Sequence, residues 1–228
     1  MCNSSEQTLQ LAYSLAREKL SGMDIKQQCF RSGAQYVYPD KLTIEYLNQS
    51  YVMAIPSMEI SLKDSPRHCE GRNPVATLKR QESCEDIPLR DKILILHYLI
   101  TAKGIPPTGK LIGFKQVPGG LFEYAGLARE LFTPLLDHFG REPERLVEAA
   151  DNLGGSKVGY GDIAVSIKAF PRVSVVIVLW RGDDEFAPNA TILFDSTVND
   201  YLSTEDMAVL CERIVEKLTH SGQKAGNQ

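Results

Sequence analysis

The chain has 228 residues, with 25 Lys and Arg against 29 Asp and Glu, and a formal net charge of -4. Hydrophobic residues make up 43% and charged residues 24%, which excludes disordered, fibrous and disulfide-framed chains. The mildly acidic balance, without a basic run, gives little electrostatic reason to bind nucleic acid, and we expect none to bind. No apolar stretch reaches the roughly 18 residues of a membrane span, and the N-terminus has no signal-peptide pattern. We therefore expect a cytoplasmic protein.

The first elements in chain order are two helices followed by strands. Apolar residues at helical spacing predict a helix over 6–22. A second helix is predicted over 24–31, with Asp24 as its N-terminal cap. The run 42–55 is rich in β-branched and aromatic residues and predicts a hairpin, and 58–62 continues the sheet.

The middle of the chain combines a polar stretch with helical patterns. The stretch 64–85 predicts an exposed loop, and at about 20 residues it is longer than most connections, so it is either functional or a domain seam. Helices are predicted over 86–103, 122–139 and 142–153, with Pro and Gly residues at their ends.

The C-terminal third predicts three short strands and one helix. The strands are expected over 162–170, 172–180 and 191–194, each bounded by turn residues. The last helix begins after Ser203, with Asp206 three residues further on, which approximates a capping box.

This order of elements predicts one domain over 1–228, with a frayed tail at 221–228. Helices at both ends and hairpin-spaced strands between them predict an α+β fold. We expect a mainly antiparallel sheet of about five strands, with helices packed on one face.

Five cysteines are scattered through the chain: Cys2, Cys29, Cys69, Cys84 and Cys211. No C-x-x-C pair occurs, so we expect free thiols in a reducing compartment and no iron–sulfur cluster in this chain. Two of the cysteines and His68 bracket the 64–85 loop, where a metal or redox role would need two more ligands.

An acidic run, Asp183, Asp184 and Glu185, follows the second predicted strand of the last third, and Asp195 ends the next strand. Carboxylate oxygens suit Mg²⁺, and a buried carboxyl could also serve acid–base chemistry. The alternative is a solvated hairpin loop with local turn hydrogen bonds.

His97 lies inside an apolar helical segment, at helical spacing from Ile93 and Ile100. An imidazole at such a position can be the axial ligand of a metal or a tetrapyrrole. The alternative is a core histidine that is satisfied by a backbone carbonyl.

Three further residues are candidates for ligand contacts. Lys115 and Tyr124 flank the Pro-Gly-Gly turn at 118–120 and could supply donors to an anionic ligand, or could simply be exposed. Trp180, the only tryptophan, ends a buried strand. Its ring either forms a flat surface against which a ligand packs or fills space in the core.

The segment 171–186, with its run W-R-G-D-D-E-F, and the segments 192–195 and 200–202 resemble a family known only as a domain of unknown function. The segments 97–99 and 114–120 are similar to the pattern of the same family. Members of that family occur mainly in anaerobic bacteria and archaea.

The likeness covers most of the chain from about residue 86 to residue 218. Some members resemble fusions with a four-cysteine iron–sulfur module of the type found in corrinoid proteins, and this chain has no such module. The resemblance implies a setting in anaerobic metabolism, near corrinoid or other tetrapyrrole cofactors, and implies no particular activity.

Three functional hypotheses follow. The leading one is a domain that binds a corrinoid or other tetrapyrrole, or a partner enzyme such as an iron–sulfur or corrinoid protein. Its candidate ligand-binding residues are His97, Lys115, Tyr124, Trp180, Asp183, Glu185 and Asp195. The second is a Mg²⁺-dependent enzyme built on the acidic residues at 183–185 and Asp195. The third is a protein–protein interaction module without a small ligand, which would dock a partner through the 64–85 loop.

Overall fold

The structure is a computed structural model that describes residues 3–63, 87–182 and 185–224. Two helices come first, α1 (Asn3–Ser21) and α2 (Ile25–Ser32). The Asp24 carboxylate accepts a hydrogen bond from the Gln27 amide at 3.1 Å and so caps α2. Gly33 ends this helix at a φ of 78°, a left-handed conformation that suits glycine. Both helices and the Asp24 cap confirm the sequence prediction.

The first sheet is antiparallel and contains four strands in the order β1-β2-β3-β4. The strands are β1 (Gln35–Val37), β2 (Lys41–Tyr46), β3 (Gln49–Ala54) and β4 (Glu59–Leu62). A two-residue turn joins β2 to β3, and its residues Leu47 and Asn48 both have positive φ, at 46° and 63°. Two successive turn residues with positive φ match the right-handed twist of the strands in a tight hairpin. The predicted hairpin and the following strand are confirmed.

The middle of the chain supplies three helices: α3 (Leu89–Thr101), α4 (Gly120–Phe139) and α5 (Arg145–Asp151). Helix α3 is deeply buried, because five of its residues from Leu94 to Leu99 are 0% exposed. The predicted loop at 64–85, with His68, Cys69 and Cys84, lies outside the described residues. Cys29 and Cys211 are free and buried.

The second sheet has five antiparallel strands in the order β5-β9-β8-β7-β6. They are β5 (Leu111–Gly113), β6 (Ser156–Val158), β7 (Ile163–Phe170), β8 (Val173–Trp180) and β9 (Asn189–Asp195). As its apolar run predicts, β8 is the central strand. The last element is α6 (Thr204–Lys224), and its Asp206 amide donates to Ser203 Oγ at 3.1 Å, as the capping pattern predicts.

The α+β class and the antiparallel pairing are confirmed, but the strands form two sheets instead of one. The sheets meet where the Leu47 amide donates to the Ala169 carbonyl at 3.0 Å. Beside this bond, Phe170 of β7 stacks between Tyr46 of β2 and Tyr98 of α3, with ring centroids 4.8 and 4.2 Å away. One apolar core is therefore shared by both sheets and the helices.

The two faces of the five-stranded sheet differ. The face that carries Val175, Ile177 and Leu179 joins the main core, which also includes residues of α3 to α6. The opposite face has a small separate cluster centred on Val176 and Val178, to which no described helix contributes. No described helix is both long and apolar enough to cross a membrane.

Candidate functional site

Helices α3 and α6 pack side by side in opposite directions, and polar pairs mark their contact. Asp91 of α3 meets Arg213 of α6, and six residues further along α3, His97 meets Asp206. Residue numbers rise along one helix as they fall along the other, so the helices are antiparallel. The candidate site lies where α3 approaches its end and α6 begins.

The His97 imidazole is held by the Asp206 carboxylate. His97 Nδ1 lies 2.7 Å from Asp206 Oδ1, and the two side chains are 35% and 13% exposed. The other carboxylate oxygen, Oδ2, accepts a hydrogen bond from Ser203 Oγ at 2.8 Å. Ser203 in turn caps α6 through the Asp206 amide. Ser203 therefore holds one oxygen of the carboxylate while the other oxygen contacts the ring.

This contact determines which ring nitrogen of His97 carries the lone pair. A carboxylate can only accept, so Nδ1 carries the proton that it donates to Asp206. In the neutral imidazole the lone pair then lies on Nε2. No hydrogen-bond partner of Nε2 is found among the described residues. The ring, about one third exposed, thus has a free donor atom for a metal or a proton.

An apolar groove of about 310 Å³ adjoins this pair. Its lining comes from α1, α3 and α6: Leu9, Arg90, Ile93, Leu94, Asp206, Val209 and Glu212. Asp206 marks one end, and Arg90 and Glu212 mark the other, with Nη1 and Oε2 3.5 Å apart; His97 contacts the groove only through Asp206. The volume is at the lower end of the range for ligand pockets, about 300–1,000 Å³.

Several of the segments that resemble one family meet at the start of α6. Thr204 Oγ1 donates to the Pro118 carbonyl at 2.7 Å, which brings the Pro-Gly-Gly turn to this helix end. Tyr98 stacks with Tyr201, with ring centroids 5.9 Å apart. Tyr98 directly follows His97 in the sequence, and Tyr201 and Thr204 lie on either side of the Ser203 cap of α6. The structure therefore places these segments in one region.

The other sequence candidates are placed differently. Lys115 lies in a 3-10 turn, Phe114–Gln116, just before the Pro-Gly-Gly turn, and is exposed. Tyr124 lies in α4, but its side chain is outside the described part of the structure. Trp180 ends β8 and is 39% exposed, so its ring is only partly in the core. Its role as a ligand platform stays a prediction.

Asp195 holds a loop together. Its carboxylate accepts hydrogen bonds from the amides of Thr108, Gly109 and Thr197 at 3.2, 2.6 and 3.0 Å, and from the Thr197 hydroxyl at 2.8 Å. Burial raises the pKa of this carboxyl, but the hydrogen bonds outweigh burial and lower the pKa to about 2. Both carboxylate oxygens are thus engaged by the chain itself.

The acidic residues do not form one cluster in the described structure. Strands β8 and β9 pair as a hairpin with Trp180 opposite Asn189 and Val175 opposite Phe194. Glu185 precedes β9 and Asp195 ends it, so the two are separated by the length of the strand, about 20 Å. Asp183 and Asp184 lie outside the described residues. Among the described side chains, no group of three or more His, Cys, Asp or Glu could hold a metal ion.

Glu185 instead lines a second cavity, of about 710 Å³, between the end of α4 and the connection from β8 to β9. Arg141, Arg181 and Phe186 line the same cavity. Arg181 pairs with Glu144, and Phe186 is 70% exposed. This cavity is lined by residues of both positive and negative charge. It shares no lining residue with the groove between α3 and α6, so the two are separate.

Fold and site together define an α+β domain with a carboxylate-oriented imidazole beside an apolar groove. A family described as a domain of unknown function, DUF3786, matches residues 24–217. Because the match spans most of the 228 residues, the chain belongs to this family. Comparison with curated proteins and with solved structures gave no match.

Sequence reasoning identifies His97 but misses its partner. It predicts Asp206 only as part of the α6 capping pattern. The distance in sequence explains this, since 109 positions separate His97 from Asp206. The available signal is the imidazole itself, because a polar ring in an apolar helix requires a partner.

Proposed function

We propose that this protein is a binding domain that presents Nε2 of His97 to the metal of a corrinoid or other tetrapyrrole. The observation that carries the proposal is the hydrogen bond of 2.7 Å between His97 Nδ1 and Asp206. Metal-ligating histidines usually donate their second ring nitrogen to a carboxylate or carbonyl, which fixes the tautomer and makes the ligand more basic. Asp206 supplies that second contact.

The residues around His97 fit such a group. A tetrapyrrole brings its own four nitrogens, so one imidazole from the protein suffices as the axial ligand. The ring is 35% exposed, and the groove next to its partner Asp206 offers the half-buried side chains of Leu9 and Val209 to an apolar macrocycle. When bound, the metal of the macrocycle would supply the redox or ligand-exchange chemistry, and the protein would hold and orient it.

The size of the groove supports a shared cofactor. At about 310 Å³ it encloses only part of a macrocycle, so the remaining surface of the ring stays open to a second protein. We therefore propose that the domain works with a partner enzyme of anaerobic metabolism, an iron–sulfur or corrinoid protein. The support for this partner class is the family resemblance together with the small enclosed volume.

The test is a spectroscopic titration without oxygen, with haemin and diaquacobinamide as separate probes. Wild-type protein should shift the visible spectrum of at least one probe to that of an imidazole complex. His97→Ala should abolish the shift, and Asp206→Asn should weaken binding several-fold because the amide is a poorer acceptor. Circular dichroism checks that each variant is folded, and His97→Phe replaces His97→Ala if the smaller side chain destabilises α3.

The matched control is His220→Ala. His220 is exposed on α6 and its Nδ1 lies 2.7 Å from the Glu216 carbonyl, so this nitrogen contacts a backbone carbonyl where that of His97 contacts a carboxylate. The control should bind the probes as the wild type does. The proposal is wrong if the wild type shifts neither spectrum, or if the shift survives in a folded His97 variant.

A further inference from the structure

The cavity of about 710 Å³ between the end of α4 and the connection from β8 to β9 has no part in the proposed function. Its lining includes Arg181, Glu185 and Phe186 of the run W-R-G-D-D-E-F, which the sequence singles out. The volume lies well within the range for ligand pockets, about 300–1,000 Å³. This cavity is therefore a candidate for a second binding site.

Pro188 fixes one wall of this cavity, because it packs against both Gly182 and Gly140. A Cβ atom built on Gly182 would lie 2.6 Å from Pro188 Cδ, and one built on Gly140 would lie 3.2 Å from Pro188 Cγ. Glycine allows such a close approach because it has no side chain. The Arg181 amide donates to Asp162 Oδ2 at 2.8 Å and holds the start of the same connection. The chain itself therefore sets the shape of the wall.

Two opposite charges line the cavity without pairing with each other. Asp137 lies in the last turn of α4, and Arg141 lies four positions further on, just after the helix ends. Both side chains are exposed. Within the described ranges of the chain, neither of them forms an ion pair. Both charges can therefore contact one ligand.

A neighbouring group reinforces each of these charges. The C-terminal end of α4 carries a partial negative charge, which adds to that of Asp137 and favours an ammonium group. Arg181 lines the cavity together with Arg141. Its ion pair with Glu144 is exposed and contributes little to stability, so this guanidinium can also turn to a ligand. Phe186, which is 70% exposed, adds an apolar ring to the same lining.

We infer that this cavity binds a small zwitterion with an apolar side chain, that is, an amino acid or a short peptide. The lining carries two guanidinium groups and two carboxylates, those of Arg141, Arg181, Asp137 and Glu185. A ligand with one sign of charge meets repulsion as well as attraction there. A zwitterion instead places its carboxylate at Arg141 and its ammonium group at Asp137, and its side chain packs on Phe186. The inference goes beyond the proposed function, because it concerns a different cavity and needs no metal.

Calorimetric titration with the dipeptide Ala-Phe tests the class of ligand, and two blocked forms each lack one charge. N-acetyl-Ala-Phe keeps only the carboxylate, and Ala-Phe amide keeps only the ammonium group. Ala-Phe should bind at millimolar concentration, and each blocked form should bind about fivefold more weakly, as for the loss of an exposed ion pair. Free phenylalanine carries both charges on one carbon, so its affinity relative to that of Ala-Phe decides between an amino acid and a peptide. The inference is wrong if neither zwitterion gives heat, or if the blocked forms bind as tightly as Ala-Phe.

Two substitutions assign the charges to their residues. Arg141→Gln should weaken Ala-Phe about fivefold and should shrink the difference between Ala-Phe and its amide. Asp137→Asn should have the same effect on Ala-Phe and should shrink the difference between Ala-Phe and its acetylated form. The controls are Arg129→Gln and Asp151→Asn, which remove the same charges from exposed residues that do not line the cavity. Equal weakening by variants and controls, or differences between the peptides that persist unchanged in the variants, would overturn the assignment.

Discussion

Arg213 of α6 holds the Asp91 carboxylate of α3 through two hydrogen bonds, from Nε at 2.8 Å and from Nη2 at 2.9 Å. The Tyr46 hydroxyl of β2 donates to the same carboxylate at 3.0 Å. Asp91 is 1% exposed, so these contacts satisfy a buried charge. They join α3, α6 and the first sheet, and they set the position of α3 against α6 on which the pair of His97 and Asp206 depends.

Asp91→Ala should lower the free energy of unfolding by about 3 kcal/mol. The substitution leaves the largely buried Arg213 guanidinium and the Tyr46 hydroxyl without their acceptor, and a broken buried pair typically costs about 3–5 kcal/mol. Urea unfolding followed by circular dichroism measures this difference. Arg90→Ala, on the exposed side of the same helix, should change stability by less than about 0.5 kcal/mol. Equal effects of the two substitutions would show that the buried pair does not stabilise the fold.

Asp195 should make the stability depend on pH in the acid range. Its pKa is about 2 in the folded protein, against an ordinary value of 3.8, so the folded state binds this proton less readily than the unfolded state. The stabilisation is complete above about pH 5 and is lost as the pH falls through 3.8 towards 2, with about half remaining at pH 3. Solvent screening reduces the full effect to about 1 kcal/mol.

The comparison of wild type with Asp195→Ala isolates this effect. The difference in their free energies of unfolding should be constant between about pH 7 and 5 and should shrink by about half at pH 3. Urea titrations at each pH measure it, provided that both proteins are folded without urea. A difference that stays constant down to pH 3 would mean that the hydrogen bonds to Asp195 do not lower its pKa.

Local signals explain why most of the fold could be predicted from the sequence. Asp24 and Ser203 cap helices through bonds to residues three positions away, and a short window of sequence contains all that these caps require. Strands β1, β5 and β6 are not predicted from the sequence. Each has only three residues, too few to show a periodicity, and each forms by pairing with a longer neighbouring strand. The division into two sheets depends on such long-range pairing as well.

Helix α1 shows the limit of periodicity. Leu11 and Leu15 extend the apolar pattern of this helix, but the structure leaves them 60% and 56% exposed. Ala16 and Leu20 of the same pattern are buried, as is Tyr13, since spacing predicts an apolar stripe and not how much of its width meets the core. The site has the same limit: His97 could be singled out locally, whereas only the packing of α3 on α6 brings Asp206 to it.

Alanine substitutions at Gly161 and at Gly109 can be compared to separate the cost of backbone strain from the cost of a steric clash. Both have positive φ, at 54° and 76°, so alanine at either site should cost about 1–2 kcal/mol for the left-handed backbone. At Gly109 no heavy atom lies within 4 Å of the position that an alanine methyl would occupy, but at Gly161 this position is 2.6 Å from Val178 Cγ1 and 2.9 Å from the Leu179 carbonyl. Gly161→Ala should therefore lower the free energy of unfolding by about 2 kcal/mol more than Gly109→Ala, because the added methyl overpacks the outer face of the sheet.

Urea unfolding of both variants measures this difference under the same conditions. The expected excess at Gly161 depends on how closely its loop lies over β8, where the Asp162 amide donates to the Leu179 carbonyl at 3.1 Å. Val178→Ala removes the methyl that Gly161→Ala would meet, so the double variant should recover part of the excess through a favourable coupling. Equal losses in the two glycine variants, or simple additivity in the double variant, would mean that the loop moves away from Val178 at little cost.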